Sequence, residues 1–225
     1  MAEETLDGHL GRPIAVDLCF PCQLFWFDQR ESLRLSPGST LKLFRRIGER
    51  ADRRPTGAGN ALRCPRCPSP LRRTRDLQRT TRFEYFRCPN GHGRLTTFFN
   101  FLREKDFVRP LSGRQLEELR RHVQTLNCSN CGAAIDLTHR SACAHCGSPV
   151  SMLDLPQAER LIAQLQQAEH GTGQVDPALP LRLSRARHEV HGTFDAFERD
   201  AGWYADVSSS GLVSAGLHAL AKWFK

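Results

Sequence analysis

Residues 128–150, "CSNCGAAIDLTHRSACAHCGSPV", carry two Cys-x-x-Cys pairs separated by eleven residues. A glycine follows each pair, at Gly132 and Gly147, and suits a tight turn whose backbone amides approach sulfur. Two such turns that face each other supply four thiolates in a tetrahedral arrangement, which is the ligand set of structural zinc. The spacing therefore predicts one zinc site with the ligands Cys128, Cys131, Cys143 and Cys146. Iron also fits four thiolates.

This stretch resembles the short zinc ribbons with rubredoxin-like knuckles that occur in many bacterial proteins. The resemblance implies a small β-hairpin module held by its metal ion. His139 and His145 lie close by, but four sulfurs already complete the set, so both are expected at the surface. A redox dithiol is the alternative, although nothing around the pairs has the strand–helix pattern of thioredoxin-like proteins.

A second ligand set lies in the middle of the chain. "CPRC" at 64–67 is followed, after twenty residues, by "CPNGH" at 88–92. The sequence predicts three sulfurs and one imidazole from Cys64, Cys67, Cys88 and His92, another common structural zinc set. The alternative for His92 is a polar turn residue.

A fifth knuckle, Cys19 and Cys22, lies in "IAVDLCFPCQLFWFDQRESL" at 14–33. This segment resembles the second half of a TFIIB-type zinc ribbon. The matching positions are Val16, Asp17, Cys19, Cys22, Trp26, Asp28 and Glu31. The first knuckle of that family would lie at or before Met1, so the ligand set here is incomplete.

Several explanations of this pair stay open. The first knuckle lies upstream of Met1, or His9 or Asp7 with another group completes a weaker site. The pair is otherwise a metal-free hairpin end packed by Phe20, Phe25, Trp26 and Phe27, or half of a site shared by two chains. The prediction is two structural zinc ions, with the third left open.

The positive charge of the chain is concentrated in its middle third. The 225 residues carry a formal charge of +8, but residues 42–125 alone carry +13, almost all of it from arginine. Such a field favours a polyanion or an acidic protein partner; the alternative is a solvated face without a partner.

The arginines cluster in a predicted hairpin, "LRRTRDLQRTTRFEYFRC" at 71–88. Arginines that reach phosphates beside a ring that stacks on a base are typical of nucleic-acid binding. The alternative is that the aromatic residues form the core and the arginines its solvated coat. The predicted contact residues are Arg73, Arg75, Arg79, Arg82, Arg87 and Tyr85.

The chain is predicted to be a small α+β protein in which several zinc-ribbon hairpins are connected by helices. The predicted modules are 1–54, an incomplete TFIIB-type ribbon plus helix; 61–126, an arginine-rich ribbon with three cysteines and one histidine, plus helix; 127–170, a four-cysteine ribbon plus helix; and 171–225, a linker and helical tail. The amphipathic tail helix presents Leu217, Leu220 and Phe224, and docks either on its own chain or in a groove of another protein.

The sequence favours a binding protein over an enzyme. Closed four-ligand sites leave no position for substrate, and the sequence has no His-Glu-x-x-His, phosphate-binding glycine loop or nucleophile elbow. No secretory leader and no apolar run of about 18 residues is present, which predicts a cytoplasmic protein. We expect a zinc-binding adaptor of a protein complex without a small-molecule substrate; the alternatives are a nucleic-acid-binding protein and a thiol redox enzyme.

Overall fold

The computed structural model describes residues 1–8, 12–49, 61–78, 81–169 and 212–213. The described chain forms a small α+β fold, as predicted. Its strands are β1 (Ala2–Asp7), β2 (Pro13–Cys19), β3 (Leu24–Asp28), β4 (Arg72–Gln78), β5 (Thr81–Arg87), β6 (Gly93–Thr97), β7 (Val108–Pro110), β8 (Thr125–Asn127), β9 (Ala134–Asp136) and β10 (Ser151–Leu153). Its helices are α1 (Glu31–Arg34), α2 (Pro37–Gly48), α3 (Phe98–Glu104), α4 (Gly113–His122) and α5 (Leu155–Glu169).

Six strands form one antiparallel sheet in the order β1-β2-β3-β6-β5-β4. The central strand β3 is buried on both faces, because successive side chains of a strand point to opposite sides. Phe25 and Phe27 face a layer of helices, whereas Leu24 and Trp26 face the Cys64 and Cys88 knuckles. One sheet therefore separates the main apolar core from Cys64, Cys67 and Cys88.

The β3–β6 pairing joins the two halves of the sheet. Asp28 lies opposite Gly93 in this register, and a Cβ atom on Gly93 would lie 2.2 Å from the carbonyl oxygen of Phe27. Glycine therefore allows the two backbones to approach. As a result, the ranges 1–54 and 61–126, which the sequence presents as separate ribbons, contribute strands to a single sheet.

The helices cover the Phe25 face of the sheet. Helix α2 begins at Pro37, because Ser36 caps it and Pro37 occupies its first turn. Leu43 and Phe44 of α2 share the main core with Ile162 of α5. The rings of α3 pack against the same sheet face, with the Phe25 and Phe98 centroids 4.4 Å apart.

The second half of the chain has its own small core. Helix α4 starts after Ser112, which forms a capping box with Gln115. Its Leu116 and Leu119 pack on the short β8–β9 hairpin around Ile135, together with the cysteines of the 128–131 and 143–146 knuckles.

A polar network fixes this module to the sheet. Asn130 accepts hydrogen bonds from Thr97, at 2.7 Å, and from the amide of Asn100, at 3.3 Å, and it donates to Ser148 at 2.9 Å. Because Thr97 also caps α3, the 128–131 knuckle, which contains Asn130, is bound to the start of that helix.

Most of the predicted tail lies outside the described residues, including Leu217, Leu220 and Phe224. The two residues that are described are helical: Val213 is buried in the main core, and Leu212 packs against the second core. The beginning of the predicted tail helix therefore contacts its own chain. Among the described residues, no helix combines the length and apolarity needed to cross a membrane.

Candidate metal centres

The structure brings Cys128, Cys131, Cys143 and Cys146 together, and we refer to them as the four-cysteine cluster. All four sulfurs lie within 4.8 Å of one another, with Cys128–Cys146 at 3.6 Å and Cys131–Cys143 at 3.7 Å. A tetrahedron with zinc–sulfur bonds of about 2.3 Å has edges of about 3.8 Å, so the arrangement can hold a metal ion of this size. Iron has the same preference for four thiolates, so geometry alone does not identify the metal.

The pKa values of these thiols indicate how a bound cation would act on them. A hydrogen bond from Cys128 lowers the pKa of Cys146 to about 4, and the same bond, together with burial, raises the pKa of Cys128. Burial raises the pKa of Cys131 to about 12. A divalent ion would stabilise all four thiolates and displace their protons, so metal binding should weaken as the pH falls.

The structure also brings together Cys64, Cys67, Cys88 and His92, which we refer to as the histidine-containing cluster. The Nδ1 atom of His92 lies 3.7 Å from the sulfur of Cys64 and 3.6 Å from that of Cys88, and the sulfurs of Cys67 and Cys88 are 3.6 Å apart. Bonds of about 2.3 Å to sulfur and about 2.0 Å to nitrogen give similar edges in a tetrahedron. His92 is half-buried and thus lies where it could serve as the fourth ligand.

All four knuckles of these clusters are closed by the same backbone hydrogen bond. The amide of the first cysteine donates to the carbonyl five residues later at 2.8–3.1 Å, with the pairs Cys64–Ser69, Cys88–Gly93, Cys128–Ala133 and Cys143–Ser148. The backbone at Gly132 and Gly147 has φ values of 74° and 73°, which favour glycine and explain its place after each pair of the four-cysteine cluster. The knuckles are thus preorganised by the chain itself.

Polar groups outside the ligand set hold the 64–67 knuckle in place. The amide of Arg66 donates to the Cys64 sulfur at 3.3 Å, and hydrogen bonds from Ser69 lower the pKa of Cys67 to about 6. The Arg66 guanidinium also donates to Asp28 at 3.0 Å and to Asp17 at 3.5 Å.

Several residues that carry the TFIIB-type resemblance therefore bind the neighbouring knuckle. Asp28 accepts from the indole of Trp26 at 2.7 Å as well as from Arg66, and Trp26 packs beside Cys64 and Cys88. Sequence reasoning did not find these contacts. The only local signal is an arginine inside a Cys-x-x-Cys pair, and its acidic partners lie 38 and 49 residues away.

Cys19 and Cys22 stand outside both clusters. They are half-buried at the turn between β2 and β3, where the backbone amide of Cys22 donates to the Cys19 sulfur. Asp7 pairs with Pro13 at the other end of the β1–β2 hairpin, about 20 Å away at about 3.3 Å per residue. Asp7 is therefore excluded as a completing ligand, and His9 lies outside the described residues.

The predicted arginines separate into two groups. The side chains of Arg73 and Arg75 are both bound to the carboxylate of Glu84, and Arg73 also donates to the carbonyl of Cys146 at 3.3 Å. Arg82 and Arg87 are exposed and form no ion pair with another described residue, and Arg79 lies outside the described residues. The alternative prediction for the rings holds in part, because Phe83 is buried and Tyr85 is half-buried.

No family model, curated protein or solved structure was found to match this chain. The ribbon resemblance therefore rests on the residues that carry it and on the geometry of the two clusters.

Proposed function

We propose that this protein is a non-enzymatic adaptor in which two structural zinc ions hold a binding surface in shape. The observation that carries the proposal is the completeness of both ligand sets. Each cluster consists of four donor atoms at tetrahedral spacing. A bound ion would therefore keep no open position for water or substrate. Zinc bound in this way would supply folding free energy rather than catalysis.

The binding surface in this proposal lies at the open end of the β4–β5 hairpin, where β4 begins and β5 ends. We call it the arginine face and define it by Arg72, Arg87 and Tyr85. Arg72 lies opposite Arg87, and Arg87 lies opposite Arg94. Arg94 is bound to Glu104, whereas Arg72 and Arg87 are exposed and form no ion pair within the described chain. Neighbouring like charges repel each other, which favours an acidic partner.

This proposal predicts a partner that can be captured at the arginine face. A photo-reactive amino acid in place of Thr74, which lies on the same face of β4, should cross-link one discrete protein in cells. Adding Arg72→Glu and Arg87→Glu should reduce the yield about tenfold, as expected for a loss of ~1.4 kcal/mol in binding free energy.

The matched control is Arg114→Glu with Arg140→Glu, which changes the net charge equally at two exposed positions in the second half of the chain. Cross-linking that is equal in both double variants would refute the arginine face as the partner site. Protein thiols that react as low-pKa nucleophiles in the zinc-loaded chain would instead favour the redox alternative.

A second candidate function is nucleic-acid binding through the same face. The half-buried Tyr85 ring, with the Arg94 guanidinium 5.0 Å from its centroid, lies beside the exposed Arg72–Arg87 pair, whose side chains are able to reach phosphates. Arg73 and Arg75 contribute less than the sequence suggests, because Glu84 neutralises part of their charge.

Nucleic-acid binding predicts a steep salt dependence. The affinity for a labelled single-stranded 12-mer, measured by fluorescence anisotropy, should fall with salt, and Arg87→Gln should reduce the logarithmic slope by about one. Arg140→Gln should leave the slope unchanged. A salt-independent affinity, or equal slopes for the two variants, would exclude this function, and a nuclease-sensitive adduct in the cross-linking experiment would favour it over a protein partner.

A further inference from the structure

A polar groove of about 580 Å³ lies between the tip of the β4–β5 hairpin and the start of α5. Its charged lining consists of Arg82, Arg103, Arg109, Asp106 and Asp154. The groove is separate from the two metal clusters. It also differs from the arginine face, whose Tyr85 and Arg87 lie three and five residues from Arg82 along β5, toward the open end of the hairpin. Neither the adaptor function nor the nucleic-acid function requires it.

Arg103 is the feature of this groove that needs an explanation. Its guanidinium lies 5.7 Å from the centroid of the Phe99 ring, and burial lowers the pKa of Arg103. The guanidinium of Arg103 has no hydrogen-bond or ion-pair partner among the described residues, although the Arg103 carbonyl accepts from the amide of Asp106. Glu84 is an acid near enough to favour the charged form, but its carboxylate already binds Arg73 and Arg75. A cation that loses water without gaining an anion is unfavourable.

The carboxylates of the groove do not neutralise all of its arginines. Asp154 lies 3.7 Å from Arg109 and accepts a hydrogen bond from the amide of Gln157 at 3.3 Å, so it is engaged by Arg109 and by α5. Arg109 in turn donates to Gln115 at 3.0 Å. Three arginines face two aspartates, and the exposed Arg82 forms no ion pair with another described residue.

We propose that this groove binds a phosphate group, with Arg103 and Arg82 as the residues that contact its oxygens. The planar guanidinium presents parallel N–H donors that match a tetrahedral oxyanion, and a half-buried arginine holds such an anion more strongly than an exposed one. The phosphate comes either from a small phosphate-bearing molecule or from the backbone of a nucleic acid, because both present the same oxygens.

The test is calorimetric titration of the zinc-loaded 225-residue protein with inorganic phosphate and, separately, with a 12-nucleotide oligothymidylate. Arg103→Gln should weaken the binding of phosphate about tenfold or more, as expected for a lost charged hydrogen bond. Arg82→Gln should weaken it as well, and it tests the groove even if Arg103→Gln disturbs packing on Phe99. The matched control, Arg140→Gln, removes an equal charge from the second half of the chain and should change nothing.

The outcomes separate the two sources of the phosphate. A nucleic-acid backbone in the groove is indicated if oligothymidylate competes with phosphate and if Arg82→Gln weakens the binding of oligothymidylate. If the protein binds phosphate but not oligothymidylate, the ligand is a small phosphate-bearing molecule. The proposal is overturned if neither probe binds at millimolar concentration, or if the control weakens binding as much as the groove variants do. The adaptor function survives that result, because its test uses Arg72 and Arg87.

Discussion

Cys143→Ser is expected to remove one zinc ion per chain and to unfold residues 111–153 while the six-stranded sheet persists. Cys143 is buried, and its sulfur lies 3.7 Å from that of Cys131. Structural zinc contributes about 10–16 kcal/mol to the folding of small modules. The total stability of a domain is about 5–15 kcal/mol, so this module should not stay folded with an incomplete ligand set.

Two measurements check this expectation. Elemental analysis should show one zinc fewer per chain, and hydrogen exchange should show lost protection at Leu126, Ile135 and Leu137 with protection retained at Val16 and Phe27. His145→Ala is the matched control, because His145 is exposed beside Cys146 and belongs to neither cluster. The zinc-module interpretation fails if Cys143→Ser keeps its full metal content and its protected amides.

Glu104→Gln is expected to lower the free energy of unfolding by about 3–5 kcal/mol, because it leaves a largely buried arginine without its counter-charge. Glu104 is 5% exposed and accepts a hydrogen bond from Arg94 at 2.7 Å. Arg94 is held in the same place by the rings of Tyr85 and Phe27, so its guanidinium has little freedom to reach water. Denaturant unfolding of the zinc-loaded protein measures the change.

Two further variants separate the ion pair from a general effect of the substitution. Glu117→Gln removes the carboxylate of an exposed pair with Arg120, and should cost less than about 1 kcal/mol. Replacing Arg94 and Glu104 together by methionine and leucine should recover much of the loss, since the Arg94 charge is then absent and only the partly exposed Lys105, 3.3 Å from Glu104, loses a partner. Equal destabilisation by Glu104→Gln and Glu117→Gln would contradict the role assigned to Arg94.

The ligand sets are the part of the site that could be predicted from the sequence. A Cys-x-x-Cys pair forms its knuckle from five or six consecutive residues, as the hydrogen bonds from Cys64 to Ser69 and from Cys128 to Ala133 show. The start of helix α4 at Ser112 is equally local, because a cap depends on a few neighbouring residues. Knuckles and caps of this kind can be predicted from the sequence because they depend on residues a few positions apart and little on the rest of the fold.

The arginines illustrate what could not be predicted. Arg73 and Arg87 look alike in sequence, yet Arg73 binds Glu84 on the neighbouring strand, whereas Arg87 stays free of described ion pairs and faces Arg72. Which arginine is neutralised depends on strand register and sheet face. Neither is encoded by spacing along one strand alone.

By itself the sequence determined two four-ligand clusters, an α+β class and a concentration of charge between residues 42 and 125. Only the tertiary structure decided that β3 pairs with β6, that Arg66 binds Asp17 and Asp28, and that Arg103 faces an open groove. The physical reason is range. Metal knuckles and helix caps are satisfied by residues a few positions apart, whereas sheet order and the pairing of charges follow from contacts between residues dozens of positions apart, whose energies depend on the packing of the whole chain.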